Sequence, residues 1–140
     1  MANTVKCDIV SAQESIYTGN VQMLTATASN GELGVMAGHA PMLSGLAPGP
    51  VHIRTEDGEE EVYYVSGGYL EVQPHHISIL ADTALRAHDM DEAEAEKARQ
   101  DAEREMANRT GEVEYGHAAA RLAEASAQLR TLEKLRRKRR

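Results

Sequence analysis

Phenylalanine and tryptophan are absent from this chain of 140 residues, and five tyrosines supply all of its aromatic side chains. A packed interior has to be assembled from Val, Ile, Leu, Met and Tyr. Cysteine is reduced to Cys7 alone, which excludes an internal disulfide and is compatible with a reducing compartment. Its alternation with Val5 and Ile9 reads as a small apolar residue on a strand. No apolar run approaches the roughly 18 residues of a membrane-spanning helix. Met1 to Asp8 lacks the basic start and apolar stretch of a secretory signal. Membrane association is therefore expected only through a protein partner.

Chemistry-bearing motifs are scarce as well. No His-Glu-x-x-His or Cys-x-x-Cys spacing occurs, and the adjacent His75 and His76 would point to opposite faces of a strand. The glycine-rich segment Gly31 to Gly38 lacks the Gly-Lys-Ser/Thr ending of a phosphate loop. Ser66-Gly67-Gly68 reads as a bend or bulge, not as a nucleophile elbow. The basic C-terminus has no interleaved aromatics, so a nucleic-acid partner is not expected. No metal and no cofactor are expected.

Charge is present but uneven. The net charge of −7 comes from residues 1–87, which hold three basic and ten acidic residues, while residues 88–140 balance. Within the balanced half, Asp89 to Glu105 carries −5 and Lys134 to Arg140 carries +6. An acidic body with one basic end suggests an electrostatically steered tail.

The hydrophobic period changes along the chain. Val21 to Thr27, Val51 to Thr55, Glu61 to Val65 and His76 to Leu80 alternate or cluster as strands do. Asp57-Gly58 between two such runs marks a hairpin, because a tight turn needs residues that accept positive φ. Many short strands broken by glycines predict a sandwich or flattened barrel. After Ala87, Asp89 can cap a helix with Glu92 three residues on. Ala95, Ala98, Ala102 and Met106 form one helical stripe, and Ala118, Leu122, Ala125, Leu129 and Leu132 form a second. The predicted fold class is α+β: an N-terminal β-sandwich over 1–87, then a C-terminal antiparallel two-helix hairpin over 88–140. Alanines bury little, so the seam between the helices is expected to be thin and able to open.

Residues 31 to 43 read Gly-Glu-Leu-Gly-Val-Met-Ala-Gly-His-Ala-Pro-Met-Leu, and residues 66 to 74 read Ser-Gly-Gly-Tyr-Leu-Glu-Val-Gln-Pro. With Leu80-Ala81-Asp82-Thr83-Ala84 and Asp91-Glu92-Ala93 in the same order, the whole chain resembles the epsilon-subunit family of bacterial F-type ATP synthases. The resemblance implies a non-catalytic subunit of the central rotor stalk in a proton-translocating complex. It would bind the gamma subunit and the ring of c subunits, peripheral to the cytoplasmic face of the inner membrane. Matched residue by residue, Ser11, His39, Pro41 and Ser44 fall at the gamma contact, and Asn30, Gly31 and Glu32 in the ring-facing loop. Asn108 and Arg109 fall in the interhelical turn, which can approach the catalytic alpha and beta subunits. The basic second helix, with Arg121, Arg130, Lys134, Arg136, Arg137 and Arg139, matches a segment that can extend and restrain ATP hydrolysis. Some relatives bind ATP through a motif [IL]-D-x-x-R-A. Here Asp91 is retained but Glu94 stands at the arginine position, so ATP binding is expected to be weak or absent.

Two other classes fit parts of the chain. One is a free-standing β-sandwich binding module that oligomerises through its helices. The other is a small hydrolase using His39 or Ser66.

Overall fold

The computed structural model describes residues 3–108 and 111–138. Nine strands occur among them: β1 (Val5–Ser11), β2 (Ser15–Ala28), β3 (Gly31–Met36), β4 (Met42–Leu46), β5 (Gly49–Thr55), β6 (Glu60–Val65), β7 (Gly68–Gln73), β8 (His76–Ala81) and β9 (Ala84–Arg86). All pairings are antiparallel except β1 with β8. One hydrogen-bonded path runs β1-β8-β7-β4-β2-β5-β6-β9, with β3 added beside β2. The path also closes on itself, because β1 pairs with the first half of β2. The result is a flattened sandwich with β1, β8, β7 and β4 in one layer and β3, β2, β5, β6 and β9 in the other.

Strict alternation builds the interior. Val5, Cys7 and Ile9 of β1 and Ile77, Ile79 and Ala81 of β8 meet Leu24, Ala26, Val35, Ile53 and Tyr63 from the opposite layer. Burial pushes the Cys7 thiol up to about 12, with the neighbouring Asp8 charge adding to the shift, so the residue behaves as a small apolar side chain. The β5–β6 hairpin turns at Gly58, whose φ is 84° and whose N–H donates to the Thr55 carbonyl at 3.0 Å.

Helix α1 spans Glu92–Ala107 and α2 spans Glu112–Lys138. The expected cap at Asp89 is displaced. Ala87–Asp89 forms a short 3₁₀ turn closed by the Met90 N–H on the Ala87 carbonyl, which takes Asp89 out of capping position. Asp91 caps α1 instead, accepting from the N–H groups of Ala93 and Glu94 at 2.9 and 3.3 Å. The helices run antiparallel, with Glu92 at the start of α1 paired to Arg136 near the end of α2, and Glu105 paired to Arg121. Ala95, Ala102, Ala118, Ala125 and Leu132 are buried. Ala98 departs from its expected stripe and stays exposed at the rim of the seam.

The hairpin also lies on the sandwich, which the alanine stripes did not indicate. Along β6, Val62, Tyr63, Tyr64 and Val65 are all buried. Tyr63 and Val65 face the interior, while Val62 and Tyr64 face outward and are covered by α2, which packs on β5 and β6. On α2, Ala127 and Thr131 lie across the helix from the α1 seam and are fully buried. The Thr131 hydroxyl is satisfied by donating to the Ala127 carbonyl at 2.8 Å. Fully burying side chains such as Val62 is worth roughly 1.5–3 kcal/mol each. The hairpin is therefore held by two apolar contacts, not by one thin seam.

Candidate functional site

Three surfaces gather the residues singled out from the sequence. The first is the outer face of the layer β1-β8-β7-β4. Leu43, Tyr69 and Leu80 are exposed there at 68%, 59% and 53%. Tyr69 sits opposite Leu80 in the β7–β8 register, and Leu80 opposite Val10 in the β8–β1 register. An apolar row thus crosses three adjacent strands without a cover. It is bordered by Asp8, whose carboxylate accepts from His76 Nε2 at 2.6 Å and is held below the usual carboxylate range mainly by that bond.

Ser11, at the end of β1, pairs with Ala81 at one end of this layer. His39 and Pro41 lie at the other end, in a loop tied down by the Gly38 N–H on the Pro74 carbonyl at 3.1 Å. Ser44 lies mid-strand in β4 between Met42 and Leu46, which face the core, and its hydroxyl donates to the Gly45 carbonyl at 3.1 Å. Its neighbour Leu43 carries the exposed surface. Leu43, Tyr69 and Leu80 are absent from the sequence-derived set. A signal existed for two of them: inward Leu70 and Val72 force Tyr69 outward, and inward Ile77 and Ile79 force Leu80 outward.

The second surface is the β2–β3 turn. Asn30, Gly31 and Glu32 are all exposed, and Gly31 has φ of 130°. The third is the basic half of α2. Arg121 pairs with Glu105, Lys134 Nζ with Glu32 at 3.7 Å, Arg136 with Glu92, and Arg137 with Glu133 at 3.1 Å. Arg130 donates to the Pro48 carbonyl at 3.3 Å. An open cleft of about 800 Å³ separates this part of α2 from the sandwich, lined by Thr27, Glu32, His52, Arg130 and Lys134 among others. Asn108 caps the exposed end of α1. Arg109 and Arg139 lie outside the described residues.

Among the described residues, no catalytic arrangement forms around His39 or Ser66. The His39 Nδ1 contacts the Ala40 carbonyl at 2.7 Å, and Ser66 Oγ accepts from the Thr83 N–H at 2.9 Å. Each of these side chains is engaged with backbone, and the two lie at opposite ends of the sandwich, so they do not form a pair. Among the described residues no three His, Cys, Asp or Glu side chains gather as metal ligands, and no helix is long and apolar enough to cross a membrane.

Residues 4–87 match the family described as ATP synthase, Delta/Epsilon chain, beta-sandwich domain, and residues 88–133 match its long alpha-helix domain. The chain is 57% identical over 139 residues to the ATP synthase epsilon chain of Teredinibacter turnerae, covering 99% of both. It is 56% identical over 133 residues to that of Chromohalobacter salexigens, covering 95% of this chain and 94% of the relative. Among solved structures, a chain of the Euglena gracilis mitochondrial ATP synthase (OSCP/F1/c-ring) superimposes with TM-score 0.77 at 23% identity, over 98% of this chain and 82% of that one. A chain of the Tetrahymena thermophila mitochondrial ATP synthase central stalk and c-ring gives TM-score 0.57 at 16% identity, over 94% and 95%. At these identities the structures speak for the fold alone.

A β-sandwich carrying a docked helical hairpin, matched along its length by both family domains, defines the class: the chain belongs to the ATP synthase delta/epsilon chain family. Within it, the chain is an epsilon-type, non-catalytic subunit of the central stalk that couples rotation to catalysis.

Proposed function

We propose that residues 1–87 attach the subunit to the rotor and that residues 88–140 regulate it. The gamma subunit is assigned to the outer face of β1-β8-β7-β4, with Ser11, His39, Pro41 and Ser44 around or beneath the apolar row of Tyr69, Leu80 and Val10 and the exposed Leu43 beside it. The c ring is assigned to the turn Asn30-Gly31-Glu32. The observation that carries this reading is the uncovered apolar row on the layer that the hairpin does not cover. Attachment through these partners makes the subunit peripheral to the cytoplasmic face of a bacterial inner membrane. Tyr69→Glu and Leu80→Glu should each weaken binding to gamma at least tenfold while the fold survives, as read by pull-down titration and circular dichroism. Undiminished binding by the double variant would place gamma elsewhere.

The interhelical turn at Asn108 and Arg109, and the cations Arg121, Arg130, Lys134, Arg136, Arg137 and Arg139, are assigned to contacts with the catalytic subunits when the hairpin opens. The support is that Arg121, Lys134, Arg136 and Arg137 are held by exchangeable surface pairs, which contribute about 0–1 kcal/mol each and weaken with salt. Replacing Lys134 to Arg140 by neutral residues should raise ATP hydrolysis by the assembled enzyme, most clearly at low salt. Equal restraint in that variant and the parent would remove the regulatory assignment. Nucleotide binding forms no part of this reading: Asp91 spends its carboxylate on the helix cap, and the exposed Glu94 follows it with the wrong charge for phosphate. The oligomerising-module alternative needs an unspent apolar helix face. Here Ala118, Ala125 and Leu132 are spent within the hairpin and Ala127 and Thr131 on the sandwich.

A further inference from the structure

Two cations of α2 reach across to the sandwich, and both land on one corner. Arg130 donates to the carbonyl of Pro48, between β4 and β5, and Lys134 pairs with Glu32, on the β2–β3 turn. The corner is a single unit. Ala47 N–H donates to the Thr27 carbonyl at 3.1 Å, the Ser29 N–H to the Gly45 carbonyl at 3.3 Å, and Ala28 pairs with Leu46. Glu32 is the one carboxylate between Ser29 and Leu43, and it is 67% exposed even while paired. It can therefore meet an incoming surface without any rearrangement of the backbone. Lys134 is the more enclosed partner at 30%.

We infer that Glu32 is a shared tether: with the β2–β3 turn free it holds Lys134 and the C-terminal half of α2 against the sandwich, and it releases them when a surface offering cations or N–H donors engages that turn. The inference rests on the assignment of the same turn to the c ring. It adds that seating on the ring and loosening of the hairpin are one linked equilibrium. The Lys134 contact is long at 3.7 Å, so a surface that draws the Glu32 carboxylate toward itself weakens the hold on Lys134, and by linkage each partner weakens the other by the same factor. An exposed pair sets the scale. The single-tether effect is a few-fold bias that tunes the hairpin and does not throw it open.

Amide hydrogen exchange of α2 in the isolated full chain tests the tether. Glu32→Gln and Lys134→Gln should each speed exchange over residues 127–138 about two- to fivefold. The double variant should be no faster than either single one, and the swapped pair Glu32→Lys with Lys134→Glu should restore slow exchange. Unchanged rates in the single variants, or additive ones in the double, overturn the tether whatever the turn contacts. The same measurement on the assembled enzyme tests the release. There Glu32→Gln should leave α2 exchange equal to that of the parent, because the carboxylate has already been taken. A persisting two- to fivefold effect means that the tether stays closed in the assembly, and the linkage is overturned. Protection of the amides of residues 29–32 on assembly is read in parallel. Its absence overturns the ring assignment itself, separately from the tether.

Discussion

Gly67 and Gly68 both adopt φ near 130°, a region that side-chain-bearing residues rarely enter. Their surroundings differ. A Cβ on Gly67 would lie 3.5 Å from the Leu46 carbonyl oxygen and the Asp82 carboxylate, which is ordinary contact. A Cβ on Gly68 would fall inside the Leu80 carbonyl oxygen and 2.9 Å from the Ala81 Cα, where only backbone can yield. Backbone strain costs of order 1–3 kcal/mol at either position, and only Gly68 adds a clash with the paired strand β8. Gly67→Ala should therefore lower stability by about 1–2 kcal/mol, and Gly68→Ala by clearly more, as read from urea unfolding of each. Equal losses would mean that β8 shifts freely away from β7, contrary to the continuous register from Gly68–Ala81 to Gln73–His76.

At the scale of the element, what could be read from the sequence depended on how many faces each element buries. Strands with one buried face declared themselves through a two-residue period, as β1 and β8 do. The hairpin turn at Gly58 was equally plain, because it needs a residue that accepts positive φ. The cap moved from Asp89 to Asp91 because a 3₁₀ turn took up three residues, and nothing in the acidic run Asp89-Met90-Asp91-Glu92 ranks one carboxylate above the other. β6 and α2 were harder because each is covered on both sides. Their signatures were present: Val62-Tyr63-Tyr64-Val65 is continuous instead of alternating, and α2 carries small residues all around its circumference. The interface they form is testable at Ala127, which is fully buried among the described contacts of α2. Ala127→Glu would put a charge under the helix without touching the α1 seam. It should speed amide exchange in α2 and expose Tyr64 to solvent, with helix content nearly unchanged by circular dichroism. If helix content collapses instead, the seam between the helices cannot stand without the sandwich.

For the whole molecule, the question is how far the two halves depend on one another. The sandwich core contains no helical residue, so its packing is complete without the hairpin. The apolar row assigned to gamma lies on the layer opposite the hairpin. A chain ending after Ala87 should therefore fold and keep its affinity for gamma. It will not be neutral in other respects, because removing α2 uncovers Val62 and Tyr64 beside the already half-exposed Leu85. Losing the burial of two such side chains removes a few kcal/mol, a large share of the 5–15 kcal/mol typical of a domain. It also creates a contiguous apolar strip of the kind that drives association. The shortened chain should thus unfold at lower urea concentration and self-associate on sizing columns. Val62→Thr with Tyr64→Gln should return it to a monomer without altering gamma binding. A shortened chain that is unfolded, as judged by circular dichroism, would show that the sandwich needs its helices. A folded one that no longer binds gamma would move the contact onto the hairpin, since nothing on the β1-β8-β7-β4 face changes when α2 is removed.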